Sequence, residues 1–228
     1  MMARELEPAL VRWFGELLGR LPTVTGLEHI HVPLGRWQDN VIAELVPQQC
    51  RVLDVGCGDG ELLQRLMHDK QVVGQGLELD AEAVVGCVER QVPVIQHDLN
   101  TGLDAFADNS FDLVICEETL QTLAKPQQLL HNMLRVGKRI LVSFPNFAHW
   151  RMRLDLFLRG RMPSSQAFPH PWADSPNIHP MTLSDLQDWA KAERVRIVSG
   201  HVLSDGDIRE LRDDDNLHAE QVLLVMEK

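Results

Sequence analysis

Arg51-Val52-Leu53-Asp54-Val55-Gly56-Cys57-Gly58-Asp59-Gly60 is the stretch that decides the fold. A short apolar run leads into three glycines at alternate positions. Leu62, Leu63 and Leu66 then recur at helical spacing. Glycine permits a tight turn and, having no Cβ, lets another molecule lie against the backbone. The helix that follows points its unpaired N–H groups at whatever fills that turn. Outward from here the same rhythm repeats. Strands are predicted over 51–55, 72–79, 92–96, 111–116 and 138–144. Helices are predicted over 60–67, over 81–90 carrying Val84, Val85 and Val88, and from Pro126 onward. Such alternation implies an α/β fold, a mostly parallel sheet with helices on both faces. Ligands of these sheets bind at the carboxyl ends of the strands.

The glycine spacing narrows the ligand. A dinucleotide fingerprint would need glycine at 61, where Glu61 stands, and no phosphate-loop lysine pattern follows. Asp54 at the mouth would repel a pyrophosphate. It suits the ammonium and sulfonium of S-adenosylmethionine (SAM). Glu78 ends the second strand roughly 20 residues past the glycines, where an acid reads a ribose diol. Asp98 ends the third strand and is placed to accept from an adenine amino group, with Leu99 beside it. The expected cofactor set is Asp54, Gly56, Cys57, Gly58, Gly60, Glu78, Leu79, Asp98, Leu99 and Glu117. Taken singly, Glu78 is a surface acid and Asp98 a helix cap. Three such features at successive strand ends reinforce one another.

The chain has 228 residues, 44% apolar, and a net charge of -11. One globular domain of this size holds a substantial core. The acidity disfavours nucleic acid, since Arg151, Arg153, Arg159 and Arg161 form only a short basic stretch. Cys50, Cys57, Cys87 and Cys116 lack C-x-x-C spacing, so zinc and redox motifs find no support. Reduced thiols, no membrane-length apolar run and no signal-peptide pattern make the cytoplasm the expected compartment. No metal site is expected, although His29 and His31 lie two apart.

The flanks break the rhythm. A helical stripe over 4–21 and a second helix over 37–45 form an N-terminal extension, 1–45, ahead of a SAM-binding domain, 46–228. Six prolines interrupt 145–180, read as a helix over 149–158 and then an irregular insertion. Its Arg, Trp, Phe and Met suit either a protein interface or a lid. Thr182 is expected to cap a helix to Ala192, with Asp185 at its third position. Last strands are expected over 196–203 and 221–226, and Asp213-Asp214-Asp215 reads as a solvated loop.

Asp54 to Gly60, Glu78 and Asp98 resemble the first three motifs of class I SAM-dependent methyltransferases, and 111–115 resembles their fourth strand. That resemblance implies a Rossmann-like, seven-stranded sheet whose last strand runs antiparallel. A narrower likeness is to the methionine-biosynthesis family MetW. It rests on Gly56 to Leu63, Thr119-Leu120-Gln121, Ser143-Phe144-Pro145-Asn146-Phe147, His149-Trp150-Arg151, 158–163 and 175–179. It implies a SAM-binding protein that supports homoserine O-acyltransferase, its expected partner, in methionine biosynthesis. The alternative is a free-standing small-molecule methyltransferase. Two features depart from the family. Glu117-Glu118 stand where Ser-Gln is expected, and the first ~40 residues extend beyond an ordinary start. Glu117 and His149 are the candidate catalytic groups at the mouth, with Glu118 beside them. No Asn-Pro-Pro-Tyr motif is present, and the absence of G-x-S-x-G argues against acyl transfer by this chain itself.

Overall fold

The computed structural model describes residues 36–228. The strands are β1 (Arg51–Val55), β2 (Val73–Glu78), β3 (Val94–Gln96), β4 (Phe111–Glu117), β5 (Gly137–Pro145), β6 (Arg196–Ser204), β7 (Asp207–Glu210) and β8 (Gln221–Glu227). The helices are α1 (Trp37–Leu45), α2 (Glu61–Lys70), α3 (Ala81–Glu89), α4 (Pro126–Val136), α5 (Trp150–Arg159), α6 (Leu183–Ala192) and α7 (Asp215–His218). All strands join one sheet in the order β3-β2-β1-β4-β5-β8-β6-β7. β1 to β5 pair in parallel, and β8 runs antiparallel between β5 and β6. This is the expected Rossmann-like methyltransferase fold, with eight strands rather than seven.

The side-chain period of two sorts the core into two layers. Val114, Cys116, Ile140, Val142, Phe144, Val222 and Leu224 pack with α4 and α6. Val52, Leu113, Ile115, Leu141, Leu223 and Val225 pack with α1 and α2 on the other face. Helices therefore cover both faces. The same alternation sets Asp54 and Glu117 on the α1 side of the sheet, in register with Val52 and Ile115.

Several differences have local causes. The extra strand β7 follows an Asp205-Gly206 turn, both residues at positive φ, and pairs Leu203 with Ile208. Its Asp-Ile-Arg-Glu sequence is polar because it forms the sheet edge, so no apolar run announced it. β3 starts at Val94 rather than 92, since Pro93 has no N–H to give a ladder. On α3, Val85 and Val88 face solvent and Cys87 is the buried residue. Asp215 is not part of a solvated loop. It is fully buried, starts α7, and receives both Arg209 nitrogens at 2.7 and 2.6 Å and the Arg212 N–H at 2.7 Å. Thr182 and Asp185 form the expected reciprocal cap of α6. All four cysteines are free and buried. The 4–21 helix and the His29/His31 pair lie outside the described residues. Among those described, no helix is long and apolar enough to cross a membrane.

Candidate functional site

The glycine turn sits between β1 and α2, at the carboxyl edge of the sheet. The N–H groups of Gly56 and Cys57 both reach the Leu77 carbonyl, at 2.8 and 3.1 Å, which clamps the turn to β2. Gly56, Gly58 and Gly60 all take positive φ. A Cβ on Gly56 would stand 2.3 Å from Thr119 Oγ1, whereas one on Gly58 would meet nothing within 4 Å. The turn is thus packed on one side and open at Gly58. α2 begins there on Gly60, which has no capping side chain, and Asp59 Oδ1 accepts from the Glu61 N–H at 3.4 Å.

Glu78 and Gly58 share one rim. Gly58 N–H donates to Glu78 Oε2 at 2.9 Å, and Leu79 and Asp80 N–H donate to Oε1 at 2.7 and 2.9 Å. Three backbone donors fix the carboxylate and leave a lone pair on Oε2. Leu79 beside it is 59% exposed, an apolar surface left open at the strand end. Asp98 Oδ1 caps the short 3₁₀ turn by accepting from Asn100 N and Nδ2 at 2.9 and 3.0 Å. Its Oδ2 has no hydrogen bond among the described residues. Leu99 is buried below. β2 pairs with β3 as Glu78 with Gln96, so the two acidic strand ends are neighbours.

Asp54 is only 2% exposed, and burial pushes its carboxyl up to about 7 against the pull of Arg36. Glu117 is also buried and is pushed up to about 8 by the same desolvation. Arg36, just before α1, bonds Glu117 Oε2 through Nη2 at 2.7 Å and lies 3.3 Å from Asp39. Gln38 Nε2 and Gln221 Nε2 both donate to Glu118 Oε1, at 2.9 and 2.7 Å, and Trp37 Nε1 donates to Gln221 Oε1 at 2.6 Å. The acidic pair at the end of β4 is therefore complemented by the start of α1. Sequence reading left both features unexplained, since 80 residues separate the partners.

Arg36, Trp37, Gln38, Glu117, Glu118, Gln166, Leu203, Glu220 and Gln221 line a cavity of about 320 Å³ at the end of β4. Gln166 comes from the irregular segment after α5, so that segment forms part of the wall. Cys57 is buried in the turn and meets Cys87 Sγ at 3.8 Å, so its side chain faces α3. His149 is not among the lining residues. It is buried before α5, its Nε2 has no hydrogen-bond partner among the described residues, and burial lowers its imidazole to about 4. Asn146 is a structural hub. Its Nδ2 donates to the Ala219 and Asn216 carbonyls at 2.8 and 3.2 Å, and its Oδ1 accepts from Leu183 and Ala148 N–H at 3.1 and 3.2 Å. Ile178 and His179 N–H both donate to the Gln121 carbonyl, at 2.9 and 3.0 Å. The scattered blocks 119–121, 143–151 and 175–179 thus meet in space.

The family model "Methionine biosynthesis protein MetW" matches residues 36–226, nearly the whole described chain. The chain belongs to the MetW family. Its match starts at Arg36, so the α1 residues that answer Glu117 and Glu118 fall inside the MetW region. A curated relative, the "Bifunctional methionine biosynthesis protein MetXA/MetW" of Rhodopirellula baltica, is 34% identical over 199 residues, 82% of this chain. The MetW chain spans only 32% of that relative's length. Among solved structures, a Thermotoga maritima SAM-dependent methyltransferase, described as a possible histamine N-methyltransferase, superposes with a TM-score of 0.62 at 15% identity, covering 84% of this chain and 87% of that one. The [4+2]-cyclase SpnF does so at 0.60 and 17%, covering 84% and 80%. At such identities the likeness is one of fold, and the fold hosts more than one chemistry.

Proposed function

We propose that this MetW-family protein binds SAM across the ends of β1, β2 and β3 and supports homoserine O-acyltransferase in methionine biosynthesis. The observation that carries the binding reading is the shared rim of Gly58 and Glu78, joined at 2.9 Å. The open side of Gly58 admits the amino-acid part of the cofactor against the backbone. Asp54 gives its ammonium a buried anionic partner, and Glu117 adds a second negative group on the same face. Glu78 Oε2 offers its spare lone pair to one ribose hydroxyl, and the second hydroxyl reaches Oε1 if the Leu79 or Asp80 amide yields. Leu79 offers apolar area to the adenine, and Asp98 Oδ2 an acceptor for its amino group, with the Leu99 backbone beside it.

The support role rests on family membership and on the relative whose name joins MetXA and MetW in one chain. Neither candidate catalytic group among the described residues competes with it. Glu117 is held by Arg36, and His149 stands away from the cavity. The test is to assay homoserine acylation by the acyltransferase from the same cells, alone and with this chain. Activity raised by the chain, together with co-purification, supports the reading. Equal activity in both cases removes it. Methyl transfer to a small molecule is the second reading, favoured by the cavity that shares Glu117 with the cofactor set. Turnover of SAM to S-adenosylhomocysteine with one acceptor would establish it.

A further inference from the structure

SAM carries an ammonium and a carboxylate on one carbon of its tail. With Asp54 and Glu117 answering the ammonium, the carboxylate falls beside them and calls for a cation. Arg36 is the cation in contact with that acidic pair. Its Nη2 bonds Glu117 Oε2 at 2.7 Å, and its Nε lies 3.3 Å from Asp39. Its Nη1 makes no hydrogen bond among the described residues. The Arg36 side chain is 49% exposed and that of Glu117 only 6%. The acid is buried, and the guanidinium is left at the opening of the cavity both residues line. Arg36 also acts on Asp54. Burial pushes that carboxyl up, and the guanidinium pulls it back.

A guanidinium suits this place better than a point charge. Its N–H donors form a rigid fork, so one edge holds Glu117 while another stays open to a second carboxylate. The bond to Glu117 fixes the fork before a ligand arrives, which lowers the ordering cost of binding. A charge-assisted bond to an incoming carboxylate is stronger than a neutral one. The pair thus presents a positive and a negative group side by side, the mirror of an amino-acid zwitterion. Glu117 alone would attract the ammonium and repel the carboxylate next to it.

We propose that Arg36 receives the carboxylate of the cofactor's amino-acid tail, so that the Arg36–Glu117 pair reads both tail charges as one unit. This rests on SAM binding across β1 to β3 and adds its selectivity. The site takes nucleosides that end in an α-amino acid and discriminates against those that have lost the carboxylate. The competing role for Arg36 is to offset the buried charge of Glu117 and nothing more.

Calorimetry on the full chain separates the two roles with three ligands. S-adenosylhomocysteine has the whole tail, its decarboxylated analogue keeps only the ammonium, and methylthioadenosine has neither charge. Arg36→Gln should weaken S-adenosylhomocysteine at least roughly tenfold. The same variant should leave methylthioadenosine within about threefold and the decarboxylated analogue unchanged or tighter, since Glu117 is freed for the ammonium. Equal loss for all three ligands, or no loss for S-adenosylhomocysteine, overturns the proposal. Thermal melts check folding. If Arg36→Gln does not fold, Arg36→Lys takes its place. An ammonium has no fork to span Glu117 and a second carboxylate, so S-adenosylhomocysteine alone should weaken by about threefold or more. Unchanged selectivity in Arg36→Lys then overturns the proposal. A wild-type chain that binds methylthioadenosine, but S-adenosylhomocysteine no tighter than its decarboxylated analogue, overturns the role of Arg36 alone. A wild-type chain that binds none of the three refutes SAM binding and this inference with it.

Discussion

The two halves of the sheet use their polar residues in opposite ways. At the ends of β2 and β3, Glu78 and Asp98 are anchored from one side and keep acceptor capacity on the other, while Asp54 lies buried near the end of β1. Beyond β5 the polar residues are spent on one another. Asn146 ties three backbone segments together, and Asp215 closes on Arg209 and Arg212. The family-specific block builds a scaffold, and the commonplace motif carries the open valences.

That contrast predicts which property each substitution damages. Asp215→Ala strands Arg209 and an Arg212 N–H, and breaking a buried pair costs about 3–5 kcal/mol. Denaturant titration should show this loss, and any surviving folded protein should keep its SAM affinity. Asn146→Ala removes partners from buried backbone groups and should cost about 2–4 kcal/mol by the same measurement, again without a change in affinity. Glu78→Gln should do the reverse. Calorimetry should show SAM binding weaker by about 1–3 kcal/mol, roughly five- to 150-fold, and the new NH2 leaves a backbone N–H unpaired, so stability should fall by about 1 kcal/mol, less than at Asn146. Weakened binding in Asn146→Ala with Glu78→Gln unaffected would invert the comparison.

A smaller effect separates the halves by pH. Asp54 and Glu117 are raised to about 7 and 8, so the folded chain holds protons that the unfolded chain has released. Stability then falls as pH rises, down to the point where both are ionised near pH 8. His149 works the other way. Its value drops to about 4, so it contributes stability that grows as pH rises from about 4 to its ordinary 6.5. The melting temperature should therefore fall between about pH 6.5 and 8.5, and Asp54→Asn should flatten that fall. The smallest change is expected at exposed Asp213, where replacement by Asn should stay within about 0.5 kcal/mol.

Much of this was legible in the sequence because it is local. The glycine turn, the acids two strands on and the Thr182 cap each depend on neighbours a few residues away. The Asp205-Gly206 pair was also a readable hairpin signal, and β7 follows it. What escaped was long-range. Nothing near Glu117 and Glu118 indicates that Arg36 and Gln38 neutralise and anchor them across some 80 residues. Nor does a run of three aspartates show that its last member turns inward to Arg209 while the others stay in water. Nor does the helical spacing of Val85 and Val88 show that they face solvent, since Cys87 packs against the turn.

A crystal structure with S-adenosylhomocysteine tests the central claim most directly. The account predicts the ribose within hydrogen-bonding distance of Glu78 Oε2, the adenine against Leu79 with its amino group toward Asp98, and the amino-acid tail over Gly58. The nucleoside lying instead between Arg36 and Gln221, or the rim of Gly58 and Glu78 left unchanged and empty at saturating ligand, would contradict it.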